Sequence, residues 1–310
     1  MIAIRLLLLS CVIIWGWTFV ATRICLGYMS PMELIGLRFT IGLPILLAVV
    51  LFKKISLGSF RANGKQLALG SGLITAHFII QATALRTTSA TNTGWIIAVT
   101  PLVMAALAFV VLREPIGREA WVGIIVATLG ILVLVSKGHL SSMSWLKSWG
   151  DWLILLSAHT WALYTISTRD LSRSRHPLAV TLLVFTPLTV VCLTTMAVTS
   201  HLSTFVSLPM KPVLAMLFLG VLGTAAQWFW QEGVARLGAA KAGIFLYLEP
   251  LATTALAVPL LGESYGWSTA FGGFMVLAGV WWAERRPGRR PVVRARQALD
   301  GGTSLEERGR

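Results

Sequence analysis

The feature that most constrains this chain is the recurrence, from end to end, of apolar runs about as long as a bilayer is thick. Ten such runs are readable, at 4–27, 31–51, 66–85, 91–112, 118–135, 151–166, 177–199, 212–235, 241–261 and 267–282. A helix rising 1.5 Å per residue needs about 20 residues to cross ~30 Å of hydrocarbon; the sixth and tenth runs are the shortest. None alternates polar and apolar residues as the strands of a membrane barrel do. Only 12% of the 310 residues are charged and 56% are hydrophobic, where soluble domains carry about 25% charge. The chain therefore reads as an all-α polytopic membrane protein. Its first run starts after Arg5 in the manner of a signal peptide, but the apolar stretch continues through Trp15 and Trp17 to Ala21 without a small-residue cleavage site. It reads as the first span.

Lys and Arg in the short loops set the orientation. With the N-terminus in the cytoplasm, 20 of the 26 basic residues fall on the cytoplasmic side and five on the other, Arg38 being left inside the second run. The net charge of +14 is thus explained by topology, and no nucleic-acid partner is expected. Residues 285–310 are rich in Arg, Gly and polar residues; a basic, disordered cytoplasmic tail is expected there.

Two phrases recur. "LREPIG" begins at Leu112 and "LGESYG" at Leu261, a shift of 149 positions. Under that shift Gly94 meets Gly243, Pro101 meets Pro250, Glu114 meets Glu263, Gly117 meets Gly266, Gly123 meets Gly272 and Gly130 meets Gly279. A weaker match, shifted by 146, links Trp15 to Trp161 and Pro31 to Pro177. The expected organisation is a first five-span unit (1–136), an outer connecting loop (137–150), a second five-span unit (151–284) and the tail (285–310). Five is odd, so the second unit enters the membrane from the side opposite the first. Inverted repeats are a transporter architecture, with two related conformations and a site near the midplane.

The elements "WGWTFVATR", "LRFTIGLPIL", "TSATNTGWIIAVTPLVMAALAFVVLREPIGREAWVGIIVATLGILVL" and "LEPLATTALAVPLLGESYGWSTAFGGFMVLAGV" resemble the EamA family of the drug/metabolite transporter superfamily, over about residues 5–284. The resemblance implies ten transmembrane helices in two inverted repeats around a central cavity. It also implies export of small metabolites, often amino acids or their relatives, across a bacterial inner (plasma) membrane. The expected function is secondary active export of amino acids or related metabolites by alternating access, driven by a proton gradient. The alternative is a broad exporter of aromatic or cationic toxic compounds.

Intramembrane charges cost about 2.5–3.5 kcal/mol at a span's centre, so each asks for a reason. Arg38 reads as a carboxylate or phosphate ligand, as the partner of Glu249, or as a cap on exposed carbonyls. Glu249 reads as a proton-coupling site or as support for a helix break before Pro250. Its repeat mate at position 100 is Thr. Mid-span Trp15, Trp17, Trp161, Tyr164, Trp228, Trp230 and Tyr247, with His77, Gln81, Asn92, His159 and Gln227, are the types that line a small-solute cavity or pack a core. Glu114 and Glu263, with Pro101 and Pro250, read as structural corners, each Glu accepting hydrogen bonds from the start of the helix that follows it; gating is the other reading. Glu232 and Arg236 have the order of an intrahelical pair. The glycines of the fifth and tenth runs suggest close packing within or between chains, leaving monomer or homodimer open. Cys11, Cys25 and Cys192 read as small core residues. No GxxxxGK[ST] or HExxH pattern occurs. No catalytic residue, metal or cofactor is therefore expected. A small-molecule solute and membrane lipid are the expected partners.

Overall fold

The structure, a computed structural model, describes residues 2–58, 60–114, 116–136, 148–199, 208–262 and 267–284. Glu263, most of the connecting loop and the tail lie outside the described residues. The order is α1 (Ile2–Cys25), α2 (Pro31–Phe52), α3 (Phe60–Ala84), α4 (Ala90–Ile97), α5 (Thr100–Val110), α6 (Arg118–Val135), α7 (Trp149–Ser174), α8 (Pro177–Thr199), α9 (Met210–Leu237), α10 (Ala239–Ile244), a 3₁₀ turn (Phe245–Leu248), α11 (Glu249–Leu261) and α12 (Trp267–Glu284), with no strand among the described residues. Helix is what a membrane demands, because hydrocarbon offers a backbone N–H or C=O no partner outside its own segment. Seven segments are long and apolar enough to cross: Ile2–Cys25, Pro31–Phe52, Asn63–Ala84, Ala90–Val110, Pro177–Thr199, Met210–Leu237 and Ala239–Leu260. The chain is a multi-pass membrane protein. Its outward side chains fit that medium: Phe109, Val191, Leu214, Phe274 and Trp267 are exposed.

Polar ties show which helix ends share a face. Where the chain starts, the near face, Arg175 of the α7–α8 corner donates to the Leu57 carbonyl and to Asn63 Oδ1. At the far face Cys25 Sγ lies 3.6 Å from the Pro212 carbonyl. There Asp151 accepts from Thr88 and Asn92 across the α3–α4 corner, while its other oxygen accepts from the Ser148 N–H and completes a capping box at the start of α7.

Packing between helices follows the small residues. Gly123 of α6 lies against the Gly279 carbonyl of α12, and Gly130 against that of Gly272, so α6 and α12 run antiparallel at backbone contact. Gly42 of α2 meets Thr224 and the Gly220 carbonyl of α9, and Gly233 of α9 meets Leu8 of α1. Water gives no drive to associate inside hydrocarbon, so close approach of backbones supplies the van der Waals contact instead.

Two spans differ from the continuous helices the sequence suggests. The fourth is broken between Ile97 and Thr100, and the ninth passes through the 3₁₀ turn before restarting at Glu249. Pro101 and Pro250 are the second residues of the restarted helices. Proline has no N–H, so the carbonyl four residues earlier loses its donor. These prolines therefore sit at mid-span breaks and not at corners. The sixth span is also longer than the run 151–166: α7 continues to Ser174. Its last two turns are polar because Arg169 and Ser172 have partners in Glu114, beyond the end of α5, and in the buried Gln231 of α9.

A Cβ on Gly123 would collide with the Gly279 carbonyl, whereas one on Gly72 meets nothing within 4 Å. Gly123→Ala is expected to lower the thermal midpoint of the purified protein, at an overpacking cost of about 1–3 kcal/mol. Gly72→Ala should raise it slightly, by about 0.5–1 kcal/mol of helix propensity. Equal midpoints in a thermal-shift series would contradict this packing.

Candidate functional site

The two helix breaks face each other beside α1. Gly16 lies against the Glu249 carbonyl and Thr253 of α11, and Gly94 of α4 packs on Thr253. Trp15 and Trp161, mates under the 146-residue shift, touch edge-to-face with centroids 4.9 Å apart. Trp230 completes a layer with them, 5.3 Å from Trp15 and 6.0 Å from Trp161.

Against this layer lies a cavity lined by Trp15, Thr18, Phe19, Arg38, His77, Phe78, Gln81, Ile97, Thr100, Trp161, Gln227, Leu246 and Glu249. Both residues preceding the prolines, Thr100 and Glu249, are in its wall. So are Ile97 and Leu246, whose carbonyls lose the donor four residues on to the prolines; that of Leu246 accepts from the Glu249 N–H instead. Irregular backbone at membrane depth is tolerated where it is buried or lines a cavity.

Two opposite charges share the cavity without pairing. Arg38 is 4% exposed and Glu249 5%. The Arg38 guanidinium donates to the Gly223 carbonyl at 3.3 Å and stacks on Phe39 and Phe78, 5.2 and 5.0 Å from their ring centres. The Glu249 carboxylate has no hydrogen bond or ion pair among the described residues. The direct Arg38–Glu249 pair considered from the sequence is not formed, because Gly223 and the two phenylalanines hold the guanidinium elsewhere. Arg38 Nε, Trp15 Nε1, Thr100 Oγ1 and Gln227 Oε1 are also buried without a partner among the described residues. Buried polar groups are otherwise nearly always satisfied, and these converge on one space. His77 Nδ1 is held 2.9 Å from the Ser157 carbonyl, with its ring against Trp161.

The cavity holds about 30 Å³, room for about two waters. Ligand pockets run to roughly 300–1,000 Å³, so a metabolite enters only if the walls part. A larger groove of about 470 Å³ lies between α11 and α12, lined by Leu251, Val258, Pro259, Phe274, Leu277 and small neighbours. It offers no convergent charged groups.

Arg38, Glu249, Trp15, His77, Gln81, Trp161 and Gln227 thus meet in one place. The other candidates lie elsewhere. Trp17 is turned outward against Phe218. Trp228 is half-buried beside Phe229 and Lys53. His159 is exposed and bonded to the Leu155 carbonyl of its own helix. Asn92 belongs to the far-face Asp151 cluster. Tyr247 is buried against Thr128. Tyr164 lies behind the tryptophan layer, where its hydroxyl accepts from Gln231, itself bonded to Thr168 and Ser172. Thr18, Phe19, Phe78, Ile97, Thr100 and Leu246 are wall residues that sequence reasoning passed over. Only Thr100 carried a signal, as the repeat mate of Glu249.

Glu114 differs most from expectation. Among the described residues its carboxylate accepts nothing from the start of α6. It accepts from Arg169 of α7, at 2.7 and 2.9 Å, and from the Ala240 N–H at the start of α10, at 3.3 Å. Glu232 and Arg236 form the intrahelical pair the sequence suggests.

Comparison with known proteins agrees with this architecture. Residues 2–136 and again 148–284 match the EamA-like transporter family. An uncharacterized transporter of Archaeoglobus fulgidus is 30% identical over 89% of this chain and 96% of its own. A probable amino-acid metabolite efflux pump of Salmonella typhimurium is 26% identical, over 89% of this chain and 92% of its own. One crystal structure superposes with a TM-score of 0.73 at 18% identity, over 91% of this chain and 98% of that one, a likeness of fold. The chain belongs to the EamA-like transporter family.

Proposed function

We propose that the protein is a secondary active carrier that exports amino acids or related small metabolites by alternating access. The observation that carries this reading is the pair of buried, mutually unpaired charges, Arg38 and Glu249, in one aromatic-walled cavity. Left alone in hydrocarbon, each charge is costly. A solute carboxylate on Arg38, in place of the Gly223 carbonyl, offsets one cost. A proton or the cationic end of a solute on Glu249 offsets the other. Exchange between those two occupants of Glu249 is the proposed coupling to a proton gradient.

The reading of two inverted five-span halves is supported by the double family match and by paired contacts. The first span packs on the eighth as the sixth packs on the third, and the first on the ninth as the sixth on the fourth. Two such halves rocking about the Trp15–Trp161 contact would expose the cavity to each side in turn. We place the near face in the cytoplasm of a bacterial cell, with both termini there, on the loop charges. The relatives named as amino-acid metabolite efflux pumps support the solute class.

The test is metabolite profiling of the medium around cells expressing the intact protein or Arg38→Ala at equal membrane abundance. One amino acid or a close set should accumulate with the intact protein. Arg38→Ala should cut its flux ~10–100-fold, the scale of a lost charged hydrogen bond of about 1.5–3 kcal/mol. Undiminished flux would sink the assignment of Arg38. Raised tolerance to aromatic or cationic drugs, without amino-acid export, would favour the broad exporter. Collapsing the proton gradient should stop export by the intact protein and leave residual flux through Glu249→Gln unchanged. Equal sensitivity in both would remove Glu249 from coupling.

A further inference from the structure

The two copies of the repeat treat one groove differently. In the second copy it lies between α11 and α12, holds about 470 Å³ and is walled by Leu251, Thr254, Val258, Gly273 and Leu277 with small neighbours. It starts at Leu251, two residues after the restart at Glu249, and reaches Val258, about 10 Å further along α11 at 1.5 Å per residue. That stretch runs from mid-membrane toward the far face, within the far half of a hydrocarbon core ~30 Å thick. Under the 149-residue shift the matching positions lie on α5 and α6, in the near half.

There the chain fills the place with its own side chains. Gly273 is matched by Ile124 and Ala270 by Trp121. Ile124 is 2% exposed and belongs to one packed cluster with Ala105 of α5. Ala105 is the mate of Thr254. The pair that packs in the first copy, Ala105 with Ile124, is therefore the pair that leaves open space in the second, Thr254 with Gly273. A Cβ on Gly273 would meet only the tip of the Leu251 side chain, at 3.0 Å. Nor does α12 close the gap, because Gly272 and Gly279 hold it against α6.

The medium decides what fills such a space. At this depth the surroundings are hydrocarbon and not water. The one polar side chain in the wall, Thr254, spends its hydroxyl on the Pro250 carbonyl. The groove is continuous with the lipid-facing surface, since Phe274 and Leu277 on its flank are 68% and 52% exposed. An apolar lining forfeits its dispersion contacts unless apolar atoms enter.

We propose that this groove binds one acyl chain of a phospholipid in the far leaflet. The chain takes the place that Trp121 and Ile124 hold in the first copy. It lies along the back of α11, whose first turn carries Glu249 into the cavity wall. Lipid thus supports one wall of the cavity where the other copy uses its own residues. Recognition is of the chain and not of the headgroup, because no charged side chain lines the groove.

The test is native mass spectrometry of the purified protein after detergent washing. Ala270→Trp with Gly273→Ile writes the first copy's residues into the second. The unaltered protein is expected to retain one phospholipid more than the double variant. Long-chain phosphatidylethanolamine and phosphatidylglycerol, added back, should both raise its thermal midpoint and leave that of the double variant unchanged. Short-chain forms of either lipid should raise neither. If Gly273→Ile does not fold, Ala270→Trp alone carries the comparison. Equal retention in the two proteins would overturn the proposal, and so would stabilisation by one headgroup only. A dimer that the double variant dissociates would overturn it as well, since a second copy would then cover the groove. No readout here needs a solute, so the result is independent of the carrier reading.

Discussion

Every feature of this molecule answers to one constraint: hydrocarbon satisfies no polar group and gives apolar helices no reason to associate. The first half of that constraint makes the chain helical. The second makes it depend on small residues, because only close backbones gain enough contact. Gly123 on Gly279, Gly42 on Thr224 and Gly16 on the Glu249 carbonyl are points where a single methyl group would collide. Many long apolar side chains, such as Phe109, Val191 and Leu214, are turned outward, where lipid suits them as well as protein would.

The same constraint makes the exceptions informative. Two spans give up helical hydrogen bonds at mid-membrane, and both do so at a proline in the same place in the repeat. The residues those breaks bring forward, Thr100 and Glu249, face a space that also holds Arg38, Gln227 and the indole of Trp15 without partners. A membrane protein that leaves so many donors and acceptors unsatisfied in one spot has a use for them. The narrowness of that space adds a dynamic requirement, since about 30 Å³ admits a solute only after the walls separate. Site and motion are therefore linked: the polar groups wait for a ligand that the closed packing excludes.

Much of this was legible from residues alone, and the reasons for the failures are geometric. Arg38 and Glu249 were found because a charge in an apolar run is rare and costly. The aromatic set was over-read. Trp15 and Trp17 stand two positions apart, and so do Trp228 and Trp230. At 100° per residue, such neighbours point to nearly opposite sides of a helix. In each pair only one belongs to the central layer, and the helical period could have said that one must leave. It could not say which, because that depends on which side of α1 meets α7 and α9. Glu114 departs from its reading for a related reason: its partners, Arg169 and the Ala240 N–H, are distant in sequence.

The sequence by itself determined the class, the approximate spans, the internal duplication and the family. Those follow from run length, charge scarcity and repeated Gly, Pro and Glu, all of which are local or periodic along the chain. Only the tertiary structure decided the partners: that Arg38 rests on Gly223 instead of Glu249, that Glu114 bridges α7 and α10, and that Pro101 and Pro250 mark breaks in mid-span. Partner choice inside a membrane is settled by which backbones approach within a few ångströms. That approach depends on the small residues of two helices at once, and no single stretch of sequence contains both.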